Sequence, residues 1–343
     1  MFRPFVSKAQ IVAKLVRRPA LVFCIGAGGV ASYVYCRRNT LIADGGEKSD
    51  ATEVIKRRKT ESASDALSVT LYQYRTCPFC CKVRSFLDYF GIPYEEIEVN
   101  PLFKREMKFS ERKAVPFVIV NNVQIFDSSV IISVLRSHML GSRSIEETLG
   151  FYPEIMSKDR KGKDVVVRGN KYRIMYGTTD DLEEREKETK WRQWVDDQLM
   201  HDLAPNIYRT MWESVRSFRY VASVGNFNTI ERYGAQTVGA IAMYIIGKRL
   251  KKKYKLHDDV RESLYQHVNE WTRAVGKHKP FMGGKQPNLA DLACYGVLNA
   301  MEGMDAFDDV MANTKVKPWY DRMKQQVTSR AGACKAIPLS TTD

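Results

Sequence analysis

The chain has 343 residues, 44% of them hydrophobic and 27% charged, which is enough for two ordinary domains and too apolar for a mainly disordered protein. Its net charge of +14 points to an anionic partner, but seven of those charges (Arg3, Lys8, Lys14, Arg17, Arg18, Arg37 and Arg38) precede the first acid, Asp44. The rest is the charge of a solvated surface, and with no nucleic-acid motif or aromatic-basic interleaving the sequence gives no reason to expect a nucleic-acid partner.

Residues 1–19 are basic and free of acids, the composition of a mitochondrial presequence. Residues 20–36 are apolar or small throughout and bracketed by Arg17-Arg18 and Arg37-Arg38. At about 1.5 Å per residue they reach roughly 25 Å, just short of a hydrocarbon core of about 30 Å, and flanking arginines make up the difference by snorkelling. A single-pass membrane anchor is the preferred reading, and a removed targeting segment the other. Gly26, Gly28 and Gly29 lack a preceding strand and the spacing of a nucleotide loop, so they read as small-residue helix packing. Residues 37–67, rich in charge, Gly and Ser, form a linker. Its Lys56-Arg57-Arg58-Lys59 run suits lipid headgroups, a nuclear signal or plain solvation.

From residue 68 the pattern becomes that of a folded domain, expected to run over 68–141. Val69, Leu71, Tyr72 and Tyr74 supply a short strand, and Phe79, Val83, Phe86, Leu87 and Phe90 then repeat at helical spacing. Between them stands Cys77-Pro-Phe-Cys80. Cys77 falls near the helix N-cap and Pro78 at the first helical position, where its missing N–H matters least. The free amides of the first turn and the helix dipole favour a thiolate, the nucleophilic form of cysteine. Structural zinc fails on ligand count, because no second CxxC or close His pair occurs among seven Cys and five His. Cys81, the next residue, points away from Cys77 at helix spacing and reads as an ordinary buried or surface thiol.

Tyr94 to Val99 reads as a second strand, Leu102 to about Arg112 as a helix, and Val115-Pro116-Phe117-Val118-Ile119-Val120 as a strand opened by a cis-proline. Asn121-Asn122 makes a hairpin turn back through Val123 to Phe126. Asp127 and Ser128 then open a further helix. They cap it, or they bind the charged γ-glutamyl end of glutathione, with Ser128 and the first amides on its carboxylate and Asp127 on its ammonium. The arrangement is that of a thioredoxin-like, glutaredoxin-like domain.

Residues 142–180 read as a connection, with a β-hairpin from Lys163 to Met175 centred on Gly169-Asn170. Helices dominate 181–332, before a tail over 333–343. Trp191, Trp194, Val195 and Leu199 form one apolar face, Val260, Leu264, Val268 and Trp271 another, and Leu289, Leu292, Ala293, Val297 and Ala300 a third. Ala235 to Gly247 is too short to span a bilayer and reads as a buried helix. Asn288 and Asp291 close a capping box, a folding signal. The Trp, Met and His residues of this half read as core.

A thioredoxin-like domain with Val115-Pro116 and Asp127-Ser128, followed by helices carrying Asn-x-x-Asp, resembles the glutathione transferase superfamily. Leu71-Tyr-Gln-Tyr-Arg-Thr-Cys-Pro-Phe-Cys, Asp127-Ser-Ser-Val-Ile-Ile-Ser, Lys190-Trp-Arg-Gln-Trp, Pro280-Phe-Met-Gly-Gly and Lys285-Gln-Pro-Asn-Leu-Ala-Asp-Leu-Ala look like the membrane-associated prostaglandin E synthase type 2 family, over roughly 67–330. The resemblance implies isomerisation of prostaglandin H2 to prostaglandin E2, with Tyr74, Cys77 and Cys80 in the catalytic set. It also implies Val115, Asp127 and Ser128 on glutathione, a homodimer, and an anchored body at a Golgi or mitochondrial membrane or a soluble processed form. Haem with glutathione sulfur as its axial ligand is implied as well, and it would turn the outcome toward breakdown of the endoperoxide. A glutaredoxin-like thiol-disulfide oxidoreductase and a non-catalytic glutathione- or haem-binding membrane protein remain the alternatives.

Overall fold

A computed structural model describes residues 67–333 apart from 111, 142, 159–161, 163 and 176–181, and also the backbone of 56–58. The basic N-terminus, the apolar 20–36 segment, most of the linker and all but the first residue of the tail lie outside the described residues. Among those described, no helix is long and apolar enough to cross a membrane.

The elements in chain order are strands β1 (Lys56–Arg58) and β2 (Val69–Gln73), helix α1 (Pro78–Tyr89), strands β3 (Glu95–Glu98), β4 (Phe117–Val120) and β5 (Val123–Phe126), and helices α2 (Ser128–Leu140) and α3 (Ile145–Gly150). A hairpin of β6 (Glu154–Lys158) and β7 (Asp164–Arg168) follows. The remainder is helical: α4 (Leu182–Trp194), α5 (Met200–Ile207), α6 (Met211–Val224), α7 (Thr229–Gly234), α8 (Ala240–Tyr254), α9 (Val260–Val275), α10 (Leu289–Asn299), α11 (Asp305–Asn313) and α12 (Lys317–Thr328).

The first unit is a mixed sheet in the order β1-β3-β2-β4-β5, with β2 parallel to β3 and antiparallel to β4. Alternation along the strands sorts their side chains to two faces. Val69, Leu71, Val118 and Val120 join the large core shared with the helices, whereas Tyr72, Tyr74 and Phe117 join a smaller cluster on the other face. The register stacks three rings across neighbouring strands. Phe117 lies against Tyr72 at 4.3 Å and against Phe126 at 5.1 Å. Asn121 and Asn122, both at positive φ, make the two-residue turn between β4 and β5 as expected.

Four expectations need correction. The helix over Leu102–Arg112 shrinks to a 3₁₀ turn, Arg105–Met107. The Asn100 side chain accepts from the amides of Leu102 and Phe103 at 2.9 Å each, Lys104 turns left-handed, and the Lys113 ammonium takes the carbonyls of Lys108 and Ser110 that a helix would have used. The hairpin lies earlier than Lys163–Met175. The β-branched run Val165–Val167 pairs with Ile155–Ser157, and Gly162 supplies the positive φ in the turn, while Gly169 donates to Pro153 from beyond the strand. Within the linker, Lys56–Arg58 adds an antiparallel edge strand to β3, a pairing that local composition does not reveal. The helix through Ala235–Gly247 is only half buried, since Ala240 and Met243 face the core but Val238, Ile241 and Ile245 face outward.

The two units meet along α1 and α10. Gly296 is required there, because a Cβ at that position would come within 2.6 Å of the Lys82 backbone. Lys82 is 1% exposed; its ammonium donates to Ser129 Oγ at 3.2 Å and to Asp196. Asp196 also accepts from Ser129 Oγ at 2.7 Å and from the Tyr172 hydroxyl at 3.0 Å. A π-helical turn, Val195–Leu199, follows α4 and carries this carboxylate, in keeping with the tendency of π-bulges to sit at functional seams. Burial opposes its ionisation, but the Lys82 and Ser129 donors hold its pKa below the ordinary value.

Candidate active site

Cys77 follows the C-terminal end of β2, Val115 precedes the N-terminal end of β4, and Asp127 follows the C-terminal end of β5. Because β4 runs antiparallel to both neighbours, with Tyr72, Phe117 and Phe126 in register, all three positions fall at one end of the sheet. Tyr74, Cys77 and Cys80 share the smaller cluster, and half-buried Val115 packs against it. The Val115-Pro116 peptide is cis, as expected.

Cys77 stands in extended backbone at the N-cap of α1 with Pro78 opening the helix, and its amide donates to the Tyr74 carbonyl at 3.0 Å. Cys77 and Cys80 are free thiols, the first 4% exposed and the second fully buried. A hydrogen bond from Cys80 lowers the pKa of Cys77 most strongly. Burial works against this, while the amides of Cys80 and Phe79 and the Arg84 guanidinium add to it. Cys80 moves the opposite way: burial and then the neighbouring Cys77 raise its pKa well above the ordinary value. The environment therefore favours the thiolate at Cys77 and the protonated thiol at Cys80.

This division is measurable through alkylation. Because the Cys77 pKa is depressed, its thiolate persists as pH falls below the midpoint of a free thiol near 8.5. Iodoacetamide labelling of Cys77, followed by peptide mass spectrometry, is expected to show a rate midpoint below that value, with Cys80 unlabelled over the same range. A midpoint at or above 8.5 for Cys77 contradicts the assignment.

Arg84 is the functional residue that sequence reading missed. It is buried beneath the thiols, donating to the Arg75 carbonyl at 2.8 Å, to Cys81 Sγ at 2.9 Å and to the Gln73 side chain. The available signal was a charged residue two turns after Cys77 on the apolar face of α1. Cys81 packs in the large core rather than with the Cys77 pair, and burial raises its pKa.

Asp127 caps α2, accepting from the amides of Ser129 at 2.8 Å and Val130 at 3.4 Å, and its other oxygen lies 3.8 Å from the Lys171 ammonium. Ser128 is buried. A cavity of about 120 Å³ adjoins Asp127, which lines it with Arg112, Phe126, Glu154, Arg168 and Lys171 among others. Lys171 comes from the connecting segment, so sequence spacing could not have placed it there.

A CxxC pair opening the first helix of a thioredoxin-like unit, covered by an all-helical second unit, defines a protein of the glutathione transferase architecture. Comparison with known proteins narrows this class. The glutaredoxin family model matches residues 69–125. Prostaglandin E synthase 2 of Danio rerio is 50% identical over 278 residues, 78% of this chain and 74% of that protein. The protein of that name from Mus musculus is 47% identical over 274 residues, 77% of this chain and 71% of that one. Among solved structures, a beta-etherase from Sphingobium is similar over 77% of this chain and 98% of its own, at 15% identity and a TM-score of 0.48. The chain belongs to the prostaglandin E synthase 2 family.

Proposed function

We propose that this protein isomerises prostaglandin H2 to prostaglandin E2 at Cys77, with Tyr74 as proton donor and glutathione as cofactor. The observation that carries the reading is the asymmetric pair at the start of α1, a depressed thiol held by a raised one. The Cys77 thiolate attacks one peroxide oxygen; an S–O bond forms as the O–O bond breaks, and the departing alkoxide takes the Tyr74 proton. Loss of the hydrogen on the carbon bearing the sulfur-bound oxygen, as a proton, then makes the ketone. The S–O bond breaks, the thiolate returns, and the lost proton restores Tyr74. The reaction is redox-neutral and consumes no thiol.

For glutathione, Val115 offers its backbone to the cysteinyl peptide as a strand-edge partner. Ser128 suits the γ-glutamyl carboxylate, the amides of Ser129 and Val130 being held by the Asp127 cap, with Asp127 facing the ammonium in competition with Lys171. No group of three or more His, Cys, Asp or Glu among the described residues is arranged to hold a bare metal ion, and for haem the family resemblance supports an axial ligand from the glutathione sulfur. Its iron would depend on glutathione, and the isomerisation requires none. The family resemblance supports a homodimer, and the 20–36 segment a single-pass anchor in a Golgi or mitochondrial membrane.

The test is product analysis of the purified full chain incubated with the endoperoxide and glutathione. Prostaglandin E2 as the main product is expected. The glutaredoxin match over 69–125 favours one second reading, thiol-disulfide exchange. Rapid reduction of a glutathione mixed disulfide with no endoperoxide conversion would establish that reading instead.

A further inference from the structure

Helix α8 and the π-helical turn before it, Ala235–Gly239, carry an apolar stripe that the fold leaves uncovered. Val238, Ile241 and Ile245 are 53%, 50% and 44% exposed, and Tyr233, just upstream, is 69% exposed. Spacings of three and four residues set Val238, Ile241 and Ile245 along one line of the helix. The same line continues through Arg249 and Lys252, with Lys248 beside it, all exposed. Over Thr229–Lys255 there are seven Lys and Arg side chains and a single acid, Glu231.

We propose that this face docks on an anionic lipid surface, lying in the headgroup layer and not spanning it. Exposed aliphatic and aromatic side chains followed by bases on one helix line form the pattern of an interfacial helix, the apolar part entering the acyl boundary and the bases meeting lipid phosphates. The stripe from Val238 to Lys252 is about 20 Å long, and no described helix has the length and apolarity to cross a membrane. Charge selects lipid over a second copy of the chain. A two-fold contact brings the same patch from both subunits together, setting one basic surplus against the other, whereas an anionic leaflet complements it. The inference does not depend on the isomerase reading or on the 20–36 segment.

The test uses the full chain with Ile241→Trp and vesicles of phosphatidylcholine alone or with phosphatidylserine, their acyl chains brominated. Emission in excess of the unsubstituted protein reports where position 241 lies. Quenching of that excess is expected with the anionic vesicles and not the neutral ones. Adding Lys248→Gln, Arg249→Gln and Lys252→Gln is expected to raise the lipid concentration for half-quenching about 100-fold, at roughly fivefold per base. All four positions are exposed, so the variants are expected to keep the parent melting temperature. The proposal is overturned if the chain binds anionic vesicles without quenching at position 241, or if it binds none. Equal quenching in neutral vesicles, or indifference to the three Gln changes, overturns it too. If Ile241→Ser with Ile245→Ser turns a dimer into a monomer in sedimentation velocity, the face is a subunit interface and the lipid assignment fails.

Discussion

Cys77→Ser is expected to lower the rate of prostaglandin E2 formation by at least about 100-fold, because a serine hydroxyl at the same place stays protonated and does not open a peroxide as a thiolate does. Cys80→Ser is expected to be far milder, within about tenfold, since a hydroxyl still donates to the Cys77 sulfur and the isomerisation closes without a resolving thiol. The comparison is a steady-state measurement with glutathione at fixed concentration. Full activity in the Cys77 variant removes the mechanism. Equal loss in both variants favours disulfide chemistry, in which the second sulfur has to complete the cycle.

The largest effect on stability is expected at Asp291. Its carboxylate is fully buried and accepts from the amides of Met282 at 2.9 Å and of Gly283 and Asn288 at 3.0 Å, and from the Trp319 indole at 3.0 Å. Burial raises its pKa, and these donors partly offset the rise. Asp291→Ala strands two buried donors, the Met282 amide and the Trp319 indole, at about 1–3 kcal/mol each when left unpaired, while water can reach the part-buried amides of Gly283 and Asn288. A loss of at least about 2 kcal/mol is therefore expected, readable as a shifted denaturant midpoint or as failure to accumulate folded protein. A loss below about 1 kcal/mol would mean that water replaces the carboxylate.

Asp291 also shows what sequence can and cannot say. The Asn288–Asp291 capping box forms as its spacing predicts, since both partners lie on one turn. That the same carboxylate ties the 282–283 loop and Trp319 to the box was invisible, because those partners are distant in the chain. The active-site half follows the same rule. The strand-thiol-helix order, the cis Val115-Pro116 bond and the Asp127 cap were legible because each is a local signal. Arg84, Lys82 and Lys171 were not, because each matters through groups brought near by topology. The misplaced hairpin has another cause: Gly169-Asn170 looks like a turn locally, but pairing of Val165–Val167 with the preceding strand decides the register. The α8 stripe was misread for the opposite reason, since an apolar run says that water is unfavourable without saying which neighbour will exclude it.

The Lys82–Asp196 seam has a kinetic consequence. A buried ion pair sharing hydrogen bonds with Ser129 and Tyr172, beside a glycine that permits near backbone contact between α1 and α10, ties the thiol-bearing sheet directly to its helical cover among the described residues. Admission of a lipid to Cys77 therefore falls to rotamer changes and small loop displacements around the sulfur, motions far faster than the swinging of whole lobes. Lobe closure is accordingly not expected to limit turnover, and solvent viscosity should leave the rate nearly unchanged as long as the chemical step governs it.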